Sequence, residues 1–186
     1  MPATKLDPIA ALVVIDMQKG IVALPTVHPA AEITERVARL AAAFRAKGLP
    51  VVLVNVAGGA PGRTDAGPHG LVMNADWAEL IPELDRQPGD HTVTKFQWGA
   101  FHGTSLDQFL RRSGATQVVL AGIATSIGVE STARTAYDHG YHVTSVVDAM
   151  TDRSADAHRN SIENIFPRLG ETTTTDEVLG LLSRAG

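Results

Sequence analysis

The stretch from Gln117 to Tyr141 constrains the fold of this 186-residue chain more than any other. It begins with an apolar run, Val118 to Ala121, that ends at Gly122, and such a run is typical of a buried strand. From residue 129 onward, apolar and small side chains recur at the spacing of one helix face until Gly140 ends the pattern. The turn of residues 123–128 therefore joins the carboxyl end of a strand to the amino end of a helix, which is where open α/β sheets bind ligands.

The rest of the chain alternates strands and helices in the same way. Further strands are predicted at residues 11–15, 51–56, 91–94, 142–147 (ending at Asp148) and, at an edge, 171–174. Further helices are predicted at residues 30–47, 79–84, 154–165, from a capping box at 104–107 to Arg112, and after a second capping box at 174–177. Strict alternation favours parallel strands covered by helices on both faces. The sequence therefore predicts one domain over residues 1–186, a three-layer α/β/α Rossmann-like fold with a mainly parallel six-stranded sheet.

The composition narrows the classes of function. A formal net charge of -4 gives no basic surface for nucleic acid, and no apolar run approaches the length of a membrane span. We expect a cytoplasmic protein that acts on a small molecule, with no nucleic-acid or membrane partner. The chain has no cysteine, so no thiolate nucleophile or disulfide exists, and its seven histidines show no paired spacing. We therefore expect neither a metal nor a cofactor.

Charged residues follow two other predicted strands at their carboxyl ends. Asp16 follows the first strand, and Lys95 follows the strand at residues 91–94. Alone, each has an ordinary explanation, since aspartate is common in turns and lysine at exposed sheet edges. The carboxyl ends of neighbouring parallel strands converge, so we expect both side chains to meet the turn that leads to Gly128.

These residues resemble the signature of the isochorismatase-like, or cysteine-hydrolase, superfamily. Its pattern G-[IV]-x-T-x-x-C-V-x-x-T-A-x-x-A is matched by Gly122, Thr125, Val129, Thr132, Ala133 and Ala136. The I-D-M-Q segment at residues 15–18 and Lys95 match two members of the family's catalytic triad, while Gly128 occupies the position of the nucleophilic cysteine. The resemblance implies catalytic roles for Asp16 and Lys95, a site at Gly128 without a thiol, and a cis peptide bond before Ala124. It also implies a homodimer or higher oligomer.

The resemblance offers one chemistry that needs no cysteine. Isochorismatases proper, which cleave isochorismate to a dihydrodiol and pyruvate, often have glycine at this position, and their aspartate protonates the vinyl-ether carbon before water adds. We therefore predict a hydrolase in which Asp16 is the general acid or base, Lys95 positions it, and N–H groups of the turn before Gly128 bind the polar end of the substrate. Isochorismate is one candidate substrate among others. Because a nearby Lys⁺ lowers the pKa of a carboxyl, Asp16 must be buried to act as an acid near neutral pH.

Further residues are expected to contact the substrate. Gln18 follows Asp16, Ala124 and Thr125 lie in the turn, and Trp98 and Phe101 follow Lys95, although the two aromatic residues are equally suited to the core. Residues 57–74, rich in glycine and proline, are a candidate lid or binding loop. Thr125 and Ser126 are interpreted as turn residues, since the sequence places no base beside their hydroxyl groups.

Two other classes of function stay open. A hydrolase scaffold that has lost its nucleophile can serve as a non-enzymatic binding or regulatory protein. The pocket region can instead form an oligomer interface, with Trp98 or residues 57–74 buried by a second subunit. Retention of both Asp16 and Lys95 favours catalysis, because a scaffold has no evident need for a charged pair in a crevice.

Overall fold

The computed structural model describes residues 3–65 and 73–184. The strands are β1 (Ala10–Ile15), β2 (Val51–Val56), β3 (His91–Lys95), β4 (Gln117–Ile123), β5 (His142–Thr151) and β6 (Glu171–Thr173). The α-helices are α1 (Lys19–Val22), α2 (Ala30–Ala46), α3 (Leu106–Arg112), α4 (Glu130–Asp138), α5 (Ala155–Asn160), α6 (Phe166–Leu169) and α7 (Thr175–Arg184). A 3₁₀ turn covers Pro82–Leu84, and π-helical turns cover Thr125–Val129 and Ser161–Ile165. None of the helices in this part of the chain combines the length and apolar character needed to cross a membrane.

The strands form one parallel sheet in the order β3-β2-β1-β4-β5-β6, which confirms the predicted fold class. The chain adds β2 and β3 on one side of β1 and then crosses to add β4, β5 and β6 on the other. The order reverses at β1 and β4, and in open α/β sheets the carboxyl ends of the strands at such a point are where ligands bind. The sequence elements singled out above, Asp16 and the turn of residues 123–128, follow these two strands.

The sheet is buried on both faces. Every residue of β1 and β4 is buried, because alternate side chains pack into opposite hydrophobic cores. Leu12 and Val14 of β1 pack with residues of α2 and α7, among them Phe44, on one face. Ala11 and Val13 pack with residues of α3, α4 and α6 on the other. This double burial explains why these strands read as continuous apolar runs.

The predicted end of the fifth strand at Asp148 is wrong. β5 continues to Thr151, because a bulge shifts its register against β4 from Leu120↔Ser145 to Gly122↔Met150. The Asp148 carboxylate instead accepts hydrogen bonds from the main-chain N–H and hydroxyl of Thr175 at the start of α7, at 2.7 and 3.0 Å. In the sequence, the carboxylate of Asp148 after an apolar run indicated the end of the strand. In the structure, Asp148 lies within β5 and caps the start of α7.

Smaller differences concern the helices. The predicted helix at residues 154–165 is interrupted by the second π-helical turn and extends to Leu169, because Pro167 lies in the first turn of α6, where its missing N–H costs nothing. The predicted helix at residues 79–84 is only the 3₁₀ turn. The capping box at Thr174 and Glu177 is confirmed by reciprocal bonds of 2.9 and 3.4 Å. Of the predicted lid, residues 66–72 lie outside the described residues.

Candidate active site

Asp16 and Lys95 form a buried ion pair at the carboxyl edge of the sheet. Lys95 Nζ donates to Asp16 Oδ2 at 2.7 Å and to the carbonyl oxygen of Gln97 at 3.3 Å. The side chains are 7% and 2% exposed. Since β2 lies between β1 and β3, the long lysine side chain reaches across the end of β2 to meet the aspartate. The parallel topology thus brings together two residues that are 79 positions apart in the sequence.

The backbone at Asp16 turns sharply away from the sheet. Its N–H still donates to the Val54 carbonyl at 2.9 Å, but its φ of 51° lies in the left-handed region. Aspartate tolerates this region better than most residues, and strained positions of this kind are frequent at functional sites. The carboxyl group therefore lies at the end of β1, where the chain leaves the ladder.

Burial dominates the electrostatics of the Asp16 carboxyl. Loss of solvent raises its pKa to about 6, and the Lys95 ammonium group only partly opposes this effect. The second carboxyl oxygen, Oδ1, is buried and has no hydrogen-bond partner within residues 3–65 and 73–184. A group with this pKa exchanges its proton near neutral pH, and Oδ1 is the carboxyl oxygen that no described residue engages.

Gly128 lies directly against this ion pair. A Cβ atom at position 128 would lie 3.2 Å from Asp16 Oδ2, 3.6 Å from Lys95 Nζ and 2.8 Å from a methyl group of Ile15. The structure therefore brings together Asp16, Lys95 and Gly128, the three positions proposed as catalytic. Any side chain at position 128 would occupy the space beside the carboxyl.

The turn between β4 and α4 has a specific backbone geometry. The Ile123–Ala124 peptide bond is cis, which confirms the expectation drawn from the resemblance. Gly122 has a φ of 120°, and a side chain there would overlap the main chain of Ile15. This glycine lets the turn approach the end of β1.

Several N–H groups of the turn are engaged within the protein. Ser126 N–H donates to Asp152 Oδ2 at 2.7 Å, and those of Ile127 and Val129 donate to the Ala124 carbonyl at 3.2 and 3.1 Å. These three N–H groups already donate to acceptors within the protein, so in this geometry they cannot bind a substrate as predicted.

Both hydroxyl groups of the turn have partners that the sequence did not reveal. Thr125 Oγ1 lies 2.8 Å from His158 Nδ1, and Ser126 Oγ donates to Asp152 Oδ2 at 2.8 Å. Burial and the nearby His28 lower the pKa of His158 below its usual value, so its ring is neutral at neutral pH. Thr125 is itself completely buried and cannot reach a ligand as a nucleophile. His158 is an isolated histidine in the sequence, with nothing in its spacing that points to this contact, and Asp152 was hidden by the misplaced end of β5.

The remaining predicted contact residues lie in different environments. Gln18 is completely buried, and its amide bonds the main chain at both ends, donating to the carbonyls of Val56 and Trp77 and accepting from Val56 N–H. Trp98 is 58% exposed, Phe101 packs in the core, and Ala124 is half-buried in the turn. Gln18 thus has the contacts of an anchor for β2 and the residues around Trp77, not those of a ligand contact.

The polar groups described above suit acid–base chemistry. In the described ranges, no group of three or more histidine, aspartate or glutamate side chains has the arrangement of a metal site. Two of the three described atoms nearest to a Cβ at position 128 belong to ionisable groups, those of Asp16 and Lys95.

Comparison with known proteins identifies the family. A family model described as the isochorismatase domain matches residues 10–177. The chain is 46% identical over 176 residues to the uncharacterized isochorismatase family protein YwoC of Bacillus subtilis, covering 91% of this chain and 92% of that protein. The solved structure of an isochorismatase family protein from Burkholderia thailandensis has a TM-score of 0.92 and 45% identity, covering 96% of this chain and 98% of that one. A more distant relative, 31% identical over 176 residues, is the ureidoacrylate amidohydrolase RutB of Methylobacterium radiotolerans, with 81% of this chain and 68% of that protein covered. The chain belongs to the isochorismatase family of hydrolases.

Proposed function

We propose that this protein hydrolyses a vinyl ether of the isochorismate type by acid catalysis, without a covalent enzyme intermediate. The observation that carries the proposal is the Asp16 carboxyl, which is buried beside Gly128, has a pKa raised to about 6 and holds one oxygen without a partner among the described residues. A carboxyl with this pKa is matched to proton donation near neutral pH.

The absence of a cysteine supports direct addition of water. The chain has no cysteine, and the completely buried Thr125 cannot replace one. Amide hydrolysis, suggested by the name of the relative RutB, is therefore the less suitable reaction for this site. A vinyl ether needs only a proton at carbon to become reactive toward water.

The proposed reaction begins with transfer of the Asp16 proton to the terminal carbon of the vinyl ether. The resulting oxocarbenium ion takes up water at its ether-bearing carbon, and the hemiketal releases an alcohol and a ketone. For isochorismate these are the dihydrodiol and pyruvate. Of the two protons of the added water, one returns to Asp16 and the other reaches the leaving oxygen as the hemiketal collapses, so the carboxyl is restored. While Asp16 is ionised, the Lys95 ammonium at 2.7 Å stabilises its carboxylate.

The test follows the transferred proton. Isochorismate and a panel of small amides are offered to the wild type, to Asp16→Asn, and to the control Asp138→Asn, which changes an exposed aspartate at the end of α4. In D₂O, with pyruvate trapped at once as lactate, the wild type is expected to place one deuterium in the methyl group. We expect Asp16→Asn to lose about 100-fold or more in turnover, the usual range for a general acid. Unchanged turnover in Asp16→Asn would refute the role.

A binding function predicts a different result. If no vinyl ether or amide is turned over while a small molecule raises the melting temperature, the protein is a binding protein on a hydrolase scaffold. We also propose that it forms a homodimer or higher oligomer, because Phe96 and Trp98 beside the site are 59% and 58% exposed. Light scattering on the purified protein tests this assembly.

A further inference from the structure

A buried polar cluster connects the turn of residues 123–128 to the end of β5 and to α5. Thr125 Oγ1 lies 2.8 Å from His158 Nδ1, and the N–H and hydroxyl of Ser126 bond Asp152 Oδ2. Thr125, Asp152 and His158 are 0%, 2% and 9% exposed. Burying a polar group costs free energy unless the group is hydrogen-bonded. The bonds from Thr125 to His158 and from Ser126 to Asp152 are therefore needed by these buried groups and are not incidental surface contacts.

The other end of each tether is itself fixed. Asp152 Oδ1 accepts from the N–H groups of Arg153 and Ser154 at 2.7 and 3.2 Å, which holds the segment that leads into α5. His158 lies on α5, and its ring packs edge-on against the ring of His28 at 5.1 Å between centroids. His28 N–H in turn donates to Thr151 Oγ1 at 3.0 Å. The cluster therefore rests on β5, α5 and the loop before α2.

The turn that these tethers hold also forms one wall of the active site. Gly128 is three residues after Thr125, in the same π-helical turn. The gaps of 3.2 and 3.6 Å from its Cβ position to Asp16 and Lys95 depend on where this turn lies. A displacement of the turn would open the buried carboxyl to water.

The burial of Thr125 indicates which group donates in the hydrogen bond between Thr125 and His158. Thr125 Oγ1 is completely buried, and His158 is its side-chain partner among the described residues. If the imidazole donated, the threonine O–H would need another acceptor in that buried place. A neutral ring protonated at Nε2 accepts the O–H at Nδ1 and satisfies both groups.

We propose that His158 is a positioning residue of the active site, which accepts a hydrogen bond from the Thr125 hydroxyl and thereby fixes the turn that holds Gly128 against Asp16. It touches neither the substrate nor the carboxyl. Its effect is to keep water away from Asp16 through the turn. Only the kinetic consequence of this inference rests on the proposed function.

The test measures the pKa of Asp16 by NMR titration of ¹³C-labelled aspartate carboxyls, with Asp16→Asn used to assign the signal. Thr125→Val keeps the shape of the side chain and removes its hydroxyl, while Thr125→Ser keeps the hydroxyl. We expect the pKa of Asp16 to be about 6 in the wild type and in Thr125→Ser. In Thr125→Val it should be lower by about one unit or more, because the pKa of a hydrated carboxyl returns toward 3.8. The control Thr135→Val removes a hydroxyl that donates to the Ser131 carbonyl of its own helix and should leave Asp16 at about 6.

The pKa of Asp16 is also measured in variants of His158, so that the test does not depend on the folding of a single Thr125 variant. His158→Leu removes the acceptor, whereas the oxygen of His158→Asn can replace Nδ1. We expect His158→Leu to lower the pKa of Asp16 and His158→Asn to restore it. The double variant Thr125→Val/His158→Leu should be no worse than either single variant, because both remove one bond. An Asp16 pKa that stays at about 6 in Thr125→Val and His158→Leu overturns the inference.

Kinetics separates this inference from the proposed function. If the wild type hydrolyses the vinyl ether, kcat/KM should fall tenfold or more in Thr125→Val and recover in Thr125→Ser. If the NMR shifts follow the expected pattern while the wild type turns over no vinyl ether, the positioning role stands and the proposed function fails. If the wild type is active and the Asp16 pKa does not move, the proposed function stands and the positioning role fails.

Discussion

The buried Asp16 carboxyl should make the stability of the fold depend on pH in a direction opposite to that of most carboxylates. Its pKa is about 6 in the folded protein against 3.8 in an exposed reference. Because the folded state holds the proton more tightly than the unfolded chain, the stabilisation linked to Asp16 is complete below the unfolded pKa and is lost as the pH rises through the folded one. A difference of about two pKa units, at about 1.36 kcal/mol each, corresponds to about 3 kcal/mol.

Urea unfolding between pH 4 and pH 8 measures this effect. The reference is the double variant Asp16→Asn/Lys95→Met, which removes both charges and avoids leaving the lysine buried without a partner. The other ionisable groups are common to both proteins and largely cancel in the difference. The free energy of unfolding of the wild type, minus that of the reference, should fall by about 2 kcal/mol from pH 4 to pH 7, because at pH 4 the unfolded carboxyl is already partly ionised.

Activity should follow the same ionisation. If the protonated Asp16 is the catalytic acid, kcat/KM reaches its plateau below pH 6 and falls tenfold per unit above it, to about one-hundredth of the plateau at pH 8. A stability difference that stays flat or rises with pH would refute the raised pKa. A kcat/KM that increases from pH 5 to pH 8 would refute the acid role.

Two further changes probe the neighbours of Asp16. Lys95→Met removes the charge that opposes the effect of burial, so the pKa of Asp16 should rise above 6, and the alkaline fall of kcat/KM should move upward with it; a downward shift would contradict the assigned pairing. Gln18→Leu leaves buried main-chain groups of β2 and Trp77 without partners and should lower the free energy of unfolding by about 1–3 kcal/mol. Hydrogen exchange should then rise at residues 54–56 and 77–80 before it rises in α2, whereas exchange unchanged at these residues would mean that Gln18 is not their anchor.

The sequence was sufficient for the parts of the fold that are set by local pattern. β2 lies at the predicted residues 51–56 because Pro50 is followed by an apolar run whose first four residues are buried. The shared edge of Asp16 and Lys95 also follows from pattern, since parallel strands align their carboxyl ends, but their contact further requires that only β2 lies between β1 and β3. These inferences needed only the periods of strands and helices and the direction of the strands.

The parts that failed depend on contacts between distant segments. The length of β5 is set by a bulge against β4, and nothing within residues 142–151 alone encodes that register. Asp152 and His158 gain their roles only when the end of β5 and α5 lie against the turn after β4. The I-D-M-Q pattern placed Gln18 beside the site, but its bonds are to residues about 38 and 59 positions away. Hydrogen bonds of this range cannot be read from spacing.

The space at Gly128 is itself open to test, because alanine is compatible with its backbone. Gly128 does not lie in the left-handed region, so Gly128→Ala gains about 0.5–1 kcal/mol from lower chain entropy. Against this, its Cβ would lie 2.8 Å from a methyl group of Ile15, and such overpacking costs about 1–3 kcal/mol.

Gly180→Ala is the control for this substitution, because its Cβ, on α7, would meet no described atom within 4 Å apart from the adjacent backbone of its own helix. Urea unfolding should show Gly180→Ala to be more stable than the wild type and Gly128→Ala to be less stable. Turnover should fall in Gly128→Ala alone, because the methyl group crowds Ile15 and the Asp16–Lys95 pair and shifts the carboxyl from its position. If Gly128→Ala is as stable as Gly180→Ala and retains full turnover, the reacting atoms do not lie at Gly128, and the proton donor must be sought away from this wall of the crevice.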